Sequence, residues 1–147
     1  MNANSENGSV NVLHFEDIYL GMSAFFSVNV TSIMLKTFSK LSGDFNPLHV
    51  DLEYAQKKGH PGLVVHGLLT SSLYSRLVGM NIPGKFALLQ SIEVKFTAPV
   101  YIGDLLKVEG SIINIHESVQ QIEIEAHITN QAKRQISKAS IKVGLYA

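Results

Sequence analysis

Residues 62–79 read GLVVHGLLTSSLYSRLVG, the longest apolar stretch of the chain. Leu69, Leu73 and Leu77 follow one another at four-residue spacing and share one helical face, which Leu68 and Val78 widen. A helix apolar on several sides needs cover on several sides, so the pattern predicts a buried helix. The cover lies downstream, where the period changes to two. Ile92, Val94 and Phe96 alternate with polar residues, as do Leu106, Val108 and Ile112, then Ile122, Ile124, Ala126 and Ile128, then Ile141, Val143 and Leu145. Turn signals separate these runs, which predicts three or four half-buried antiparallel strands. One antiparallel sheet that must cover one apolar helix is an α+β arrangement. A curved sheet wrapped around the helix satisfies both apolar faces, and its open edge favours pairing with a second copy.

Upstream, residues 23–30 (SAFFSVNV) are aromatic and β-branched, hence a strand. Thr31 or Ser32 then caps a helix in which Leu35, Phe38 and Leu41 recur every third position, and Gly43 ends it. The stretch DFNPLHV reads as a loop, because Asn46 precedes a proline and is steered away from helical geometry. Asp51 caps a second short helix that stops at Gly59. Residues 1–12, rich in Asn, Ser and Gly, read as a loose tail.

The chain of 147 residues is sized for one domain, 1–147. Only 16% of residues are charged and the formal net charge is zero, which argues against nucleic-acid binding, since that needs a basic patch. The chain has no cysteine, so neither disulfides nor a zinc–thiolate site holds the fold. The polar start carries no basic region with an apolar run behind it, so the expectation is a cytoplasmic protein with no signal peptide and no membrane helix.

Against this charge-poor background, SGDFNPLHVD (residues 42–51) gathers Asp44, Asn46, His49 and Asp51 around Pro47. In a tight turn, Asp44 and His49 point at one spot and hold one water between them. His49 then removes its proton, and Asp44 orients the water or returns a proton to the substrate. Asn46 holds the loop by bonding its own backbone. The bland alternative is that Asp44 only caps the turn and His49 is a surface histidine. A metal site from His49, Asp51, His60 and His66 is the weaker reading, since no HxH or HxxxH pair occurs. His14, His116 and His127 stand apart in the sequence and read as solvated.

Gly67 falls in the first turn of the apolar helix. Free amides there donate to an anion or a polarised carbonyl, and a glycine lets a ligand come close. Close packing against the sheet explains the glycine equally well. Ser71, Ser72 and Ser75 sit on the same helix, and back-bonding to the preceding turn is the simpler account of Ser71 and Ser72.

Taken together, SGDFNPLHVD followed by VVHGLLTSSLYS resembles the hydratase-2 motif of the MaoC-like, (R)-specific enoyl-CoA hydratases, and VKFTAPVYIGDLLKVEG is similar to a later segment of that family. The resemblance covers roughly residues 16–145. It implies a hot-dog fold and a homodimer with the substrate tunnel at the interface. It implies reversible hydration of a trans-2-enoyl thioester to the (R)-3-hydroxyacyl thioester, with neither metal nor cofactor. Asp44 and His49 match the catalytic pair, Gly67 the glycine whose amide bonds the thioester carbonyl, Asn46 the motif asparagine, and Ser75 a serine near the pair. His60-Pro61-Gly62 departs from the family pattern on the tunnel wall.

The alternatives are a dehydratase acting on 3-hydroxyacyl groups carried by CoA or acyl carrier protein, a thioesterase, and a non-catalytic acyl-binding domain. Lys57, Lys58, Lys85 and Arg76 are candidates for the CoA phosphates.

Overall fold

The computed structural model describes residues 8–146. Residues 1–7 of the expected tail lie outside these. The tail does not extend to residue 12: Val12 bridges Gly84, and the Asn11 amide donates to the Met80 carbonyl at 2.9 Å. Strand β1 (Ser23–Asn29) leads into helix α1 (Ser32–Ser42). The Thr31 hydroxyl accepts from the Met34 amide at 3.2 Å, as an N-cap does, and Gly43 closes the helix at φ 76°, where a side chain would be strained. Of the three spaced apolar residues, Leu35 is buried and Phe38 half-buried. Leu41 is 82% exposed, so the inward face is narrower than the spacing implied.

The segment read as a loop contains a helical turn, α2 (Pro47–Val50). The proline occupies the first helical position, where its missing N–H is no loss and its fixed φ is already helical. Asn46 stays non-helical as expected and caps this turn, its side chain accepting from the Leu48 amide at 3.0 Å. Helix α3 (Leu52–Lys57) follows, capped by Asp51 through the Tyr54 amide.

Helix α4 (Gly67–Arg76) is the apolar stretch, and its last turn widens into a π turn over Leu77–Asn81. Four strands follow: β2 (Ala87–Phe96), β3 (Leu105–His116), β4 (Gln121–Thr129) and β5 (Gln135–Leu145). With β1 they form one antiparallel sheet in the order β1-β3-β4-β5-β2. Ile122, Ile124, Ala126 and Ile128 all face inward from β4 and are fully buried. Burying an isoleucine side chain stabilises by about 1.5–3 kcal/mol, so this row is a large share of what fixes the register.

Leu69 and Leu73 from α4 and Leu77 from the turn that follows meet that face, and the Tyr74 hydroxyl pairs with the Ser137 hydroxyl at 2.8 Å. Burial pushes the Tyr74 phenol above its ordinary pKa, against a smaller downward pull from Ser137. Gly110 on β3 lets the helix come in: a Cβ there would lie 2.7 Å from Leu77 Cδ2.

Two expectations need correction. The central helix is buried on one side only, for Leu68 is 70% exposed and Gly67, Ser72 and Ser75 are exposed with it. Strand β2 is likewise uncovered, with Ile92 39% and Phe96 51% exposed. The reason is shared. β2 is an edge strand bonded on one side only, to β5, and it lies beside the flank of α4 that also stays open.

Candidate active site

Three short devices build the polar loop. The Ser42 hydroxyl donates to the Phe38 carbonyl at 2.7 Å and accepts from the Asp44 amide at 3.2 Å. Asp44 Oδ1 accepts from the Asn46 amide at 3.1 Å, and Asn46 caps α2, which carries His49 on its last turn. Each bond ties a side chain to backbone two to four residues away, so the loop is organised by its own sequence.

Asp44 Oδ2 lies 3.8 Å from His49 Nε2, too far for a direct hydrogen bond and suited to one bridging water. The His49 Nδ1–H donates to the Val64 carbonyl at 2.6 Å. A carbonyl only accepts, so Nδ1 holds the proton in the neutral ring and Nε2 keeps its lone pair. The aspartate thus faces the nitrogen able to take a proton. Asp44 is half exposed and His49 largely covered, so the pair opens to solvent from the carboxylate side.

The histidine that sequence reasoning left out of the pair is His66. It is 2% exposed, stands at the N-terminal boundary of α4 without a capping side-chain bond, and its ring stacks on that of His49 with centroids 3.7 Å apart and planes 24° from parallel. Its Nε2–H donates to the backbone carbonyl of Asp44 at 3.0 Å, with the Ser39 hydroxyl 3.3 Å from the same nitrogen. The His-Gly dipeptide was the available signal; its partners, 22 and 27 residues away, were not readable. The proposed metal set is not assembled. Asp51 is a helix cap and His60 Nδ1 meets the Tyr101 hydroxyl at 3.0 Å. Asp44, His49 and His66 do offer ligand atoms within 4.8 Å of one another. Stacked imidazoles, however, direct their in-plane lone pairs side by side rather than toward one point, and His66 Nε2 is committed to a carbonyl.

Gly67 opens α4. The Thr70 amide is the first to bond back along the helix, to the His66 carbonyl, so the amides before it have no intrahelical acceptor. A Cβ on Gly67 would sit 3.0 Å from Phe96 Cε1. Because His66 holds the Asp44 carbonyl, Gly67 stands next in chain to the residue that joins loop and helix. The two still face different clefts. His49 lines an apolar groove of about 190 Å³ with Leu35, Phe45, Val50, Leu63 and Ile102, whereas Gly67 lines one of about 350 Å³ with Phe96, Pro99 and Val100.

The polar loop, the His-Gly helix start and strands β1 to β4 fall inside one matched region: the family model described as MaoC like domain spans residues 20–134. The chain belongs to the MaoC-like domain family. It is 32% identical over 102 residues to the (R)-specific enoyl-CoA hydratase of Aeromonas caviae, covering 69% of this chain and 76% of that protein. It is 32% identical over 104 residues to the 3-hydroxybutyryl-CoA dehydratase of Methylorubrum extorquens, covering 71% of this chain and 66%, just under two-thirds, of that protein. An R-hydratase structure from Pseudomonas aeruginosa superposes with a TM-score of 0.87 at 26% identity, over 92% of this chain and 87% of that one. The fold of this MaoC-like domain is the hot-dog fold.

Other expected residues of the MaoC-like domain fall elsewhere. Ser75 is exposed on α4, eight residues and hence about 12 Å along the axis from Gly67. The Ser71 and Ser72 hydroxyls bond the Gly67 and Leu69 carbonyls, the simpler account given for them above. Among the cation candidates, Lys57 pairs with Glu53, and Lys58, Lys85 and Arg76 lie over Tyr54, Phe86 and Phe26. Of the three histidines read as solvated, His116 and His127 face Glu123 at 3.2 Å and Glu109 at 3.6 Å, and His14 lies exposed and tilted against Phe86.

Proposed function

We propose that this protein, a single domain over residues 1–147, reversibly hydrates trans-2-enoyl-CoA to (R)-3-hydroxyacyl-CoA. The observation that carries the reading is the bare Nε2 of His49 set 3.8 Å from the Asp44 carboxylate. A water held between them gives its proton to Nε2 as its oxygen adds to the β-carbon. The thioester spans from the His49 groove to the cleft at Gly67, whose linings adjoin at Leu63 and Val64; its carbonyl, hydrogen-bonded to the Gly67 amide, takes up the electron pair as an enolate, which the first-turn amides of α4 stabilise. Protonated His49, or Asp44 after receiving that proton, then delivers it to the α-carbon. The atoms balance: hydroxyl on one carbon, hydrogen on the next, catalyst restored. The likeness to a 3-hydroxybutyryl-CoA dehydratase favours the reverse direction as a second reading, and the same residues serve it. CoA is the carrier we assign, with acyl carrier protein the alternative. No helix among the described residues is long and apolar enough to cross a membrane, and the chain lacks cysteine, which fits the cytoplasm we assign to it.

The test is to mix the protein with trans-2-enoyl-CoAs of several lengths after exhaustive chelation. We expect enoyl absorbance to fall without thiol release and the product to be the (R)-alcohol. Thiol release would identify a thioesterase, and binding without either change an acyl-binding domain. Activity lost to chelator and restored by zinc would return the metal reading.

We further propose a homodimer. The support is apolar surface left bare along one side: Leu68 on α4 with Ile92 and Phe96 on the open edge strand. Light scattering at micromolar concentration should give twice the chain mass. A fully active monomer would overturn this.

A further inference from the structure

We propose that His66 is a positioning residue for the Asp44–His49 pair. The inference rests on the functional reading above. His66 does two things at once. Its Nε2–H holds the Asp44 backbone at 3.0 Å, tying the loop to the first residue before α4, and its ring backs the His49 ring at 3.7 Å.

The tautomers make the arrangement directional. With the proton on Nε2, the Nδ1 of His66 is a bare lone pair, and it is buried without a partner among the described residues. The face of the ring, not an N–H, is what His66 presents to His49. When His49 takes a proton from water it becomes a cation lying against that face, and a cation over a ring is attracted by the ring electrons. Phe38 tilts against the other side of His66, with ring centroids 4.9 Å apart, and Ser39 stands at its edge, so the ring has little room to turn away.

Leaving Nδ1 unpaired in the interior is unfavourable in itself. A residue needed only to fill space would be better as a phenylalanine, which has the same ring bulk and no orphaned lone pair. That contrast is the basis of the test. His66→Phe removes the orphaned Nδ1 but also the partner of the buried Ser39 hydroxyl, so it should fold with a modestly lowered melt and lose the hold on Asp44. Since a misplacement of about 1 Å costs up to about 10²-fold, kcat should fall at least about tenfold while KM changes little. His66→Gln places an amide N–H near the position of Nε2 and should recover part of that loss.

Wild-type turnover of enoyl-CoA is the control. If the wild type does not turn over, the functional reading and this inference both fall. If it does, and His66→Phe keeps full kcat, only the inference falls. It also falls if both variants fail to fold, or if kcat drops in step with stability and glutamine restores nothing, because His66 is then a core residue and no more.

Discussion

Asp44→Ala is expected to lower kcat by at least about 10²-fold, and His49→Ala by a similar factor, the low end for general acid–base groups. The double variant should be far less impaired than the product of the two. Both residues grip one water across 3.8 Å, so removing either releases it and the second removal finds little left to lose. Stability should move separately. Asp44 Oδ1 caps the turn through the Asn46 amide, so Asp44→Ala should also cost on the order of 1 kcal/mol. His49→Ala strips the Val64 carbonyl of its partner, a loss of about 1–3 kcal/mol. Asp44→Asn keeps the cap oxygen and discards the charge. If Asp44 only shapes the turn, Asn restores turnover; if its charge orients water, Asn melts like wild type and stays slow. Initial rates beside thermal melts decide, and near wild-type turnover in either folded alanine variant would mean the site is wrong.

The second large effect is expected at Gly67. Losing one donor to a developing oxyanion costs about 10²–10³-fold in kcat. Gly67→Ala does not delete the amide, but it puts a methyl group beside it and 3.0 Å from the Phe96 ring. Phe96 is half exposed at the end of β2 and has room to yield, and alanine suits a helix better than glycine by up to about 1 kcal/mol. The variant should therefore fold at least as well as wild type and lose most of its turnover. Pairing it with Phe96→Leu separates two causes. If the displaced ring blocks the cleft, the smaller side chain restores rate. If the methyl itself keeps the carbonyl from the amide, it does not. Full turnover in Gly67→Ala alone would remove Gly67 from the mechanism.

Elements held by local chemistry were legible in the sequence. Gly43 ends α1 as read, Thr31 is the cap of the two candidates Thr31 and Ser32, and the alternation of β4 and β5 predicted their inward faces. The helical turn at Pro47 was missed although its signal was present, because Asn-Pro marks a cap and first helical residue as readily as it marks a loop. Exposure was misjudged at Leu68, Ile92 and Phe96, where pattern shows which face is apolar but not what covers it. The candidate site divides the same way. Asp44, Asn46 and His49 lie in one turn and their meeting could be anticipated. His66 joins them only through the fold. His127 reaches Glu109 because β3 and β4 set these residues opposite each other, a register that the spacing in neither strand states.

Gly110 gives the far end of the molecule a say in this chemistry. The bare backbone there seats Leu77, which begins the turn just past α4, while Gly67 and His66 stand at the other end of that rod, about 15 Å away. A packed helix moves as a stiff beam, and its interior neighbours do not compress. A methyl group at 110 would press on the tip of Leu77 with Ile124 and Ala126 behind it, so either Leu77 changes rotamer or that end of the helix shifts, and with it the Asp44 loop through a single imidazole. The tolerance of the site is thus set partly at the far end of its own helix, at a strand position where even a methyl group is tight.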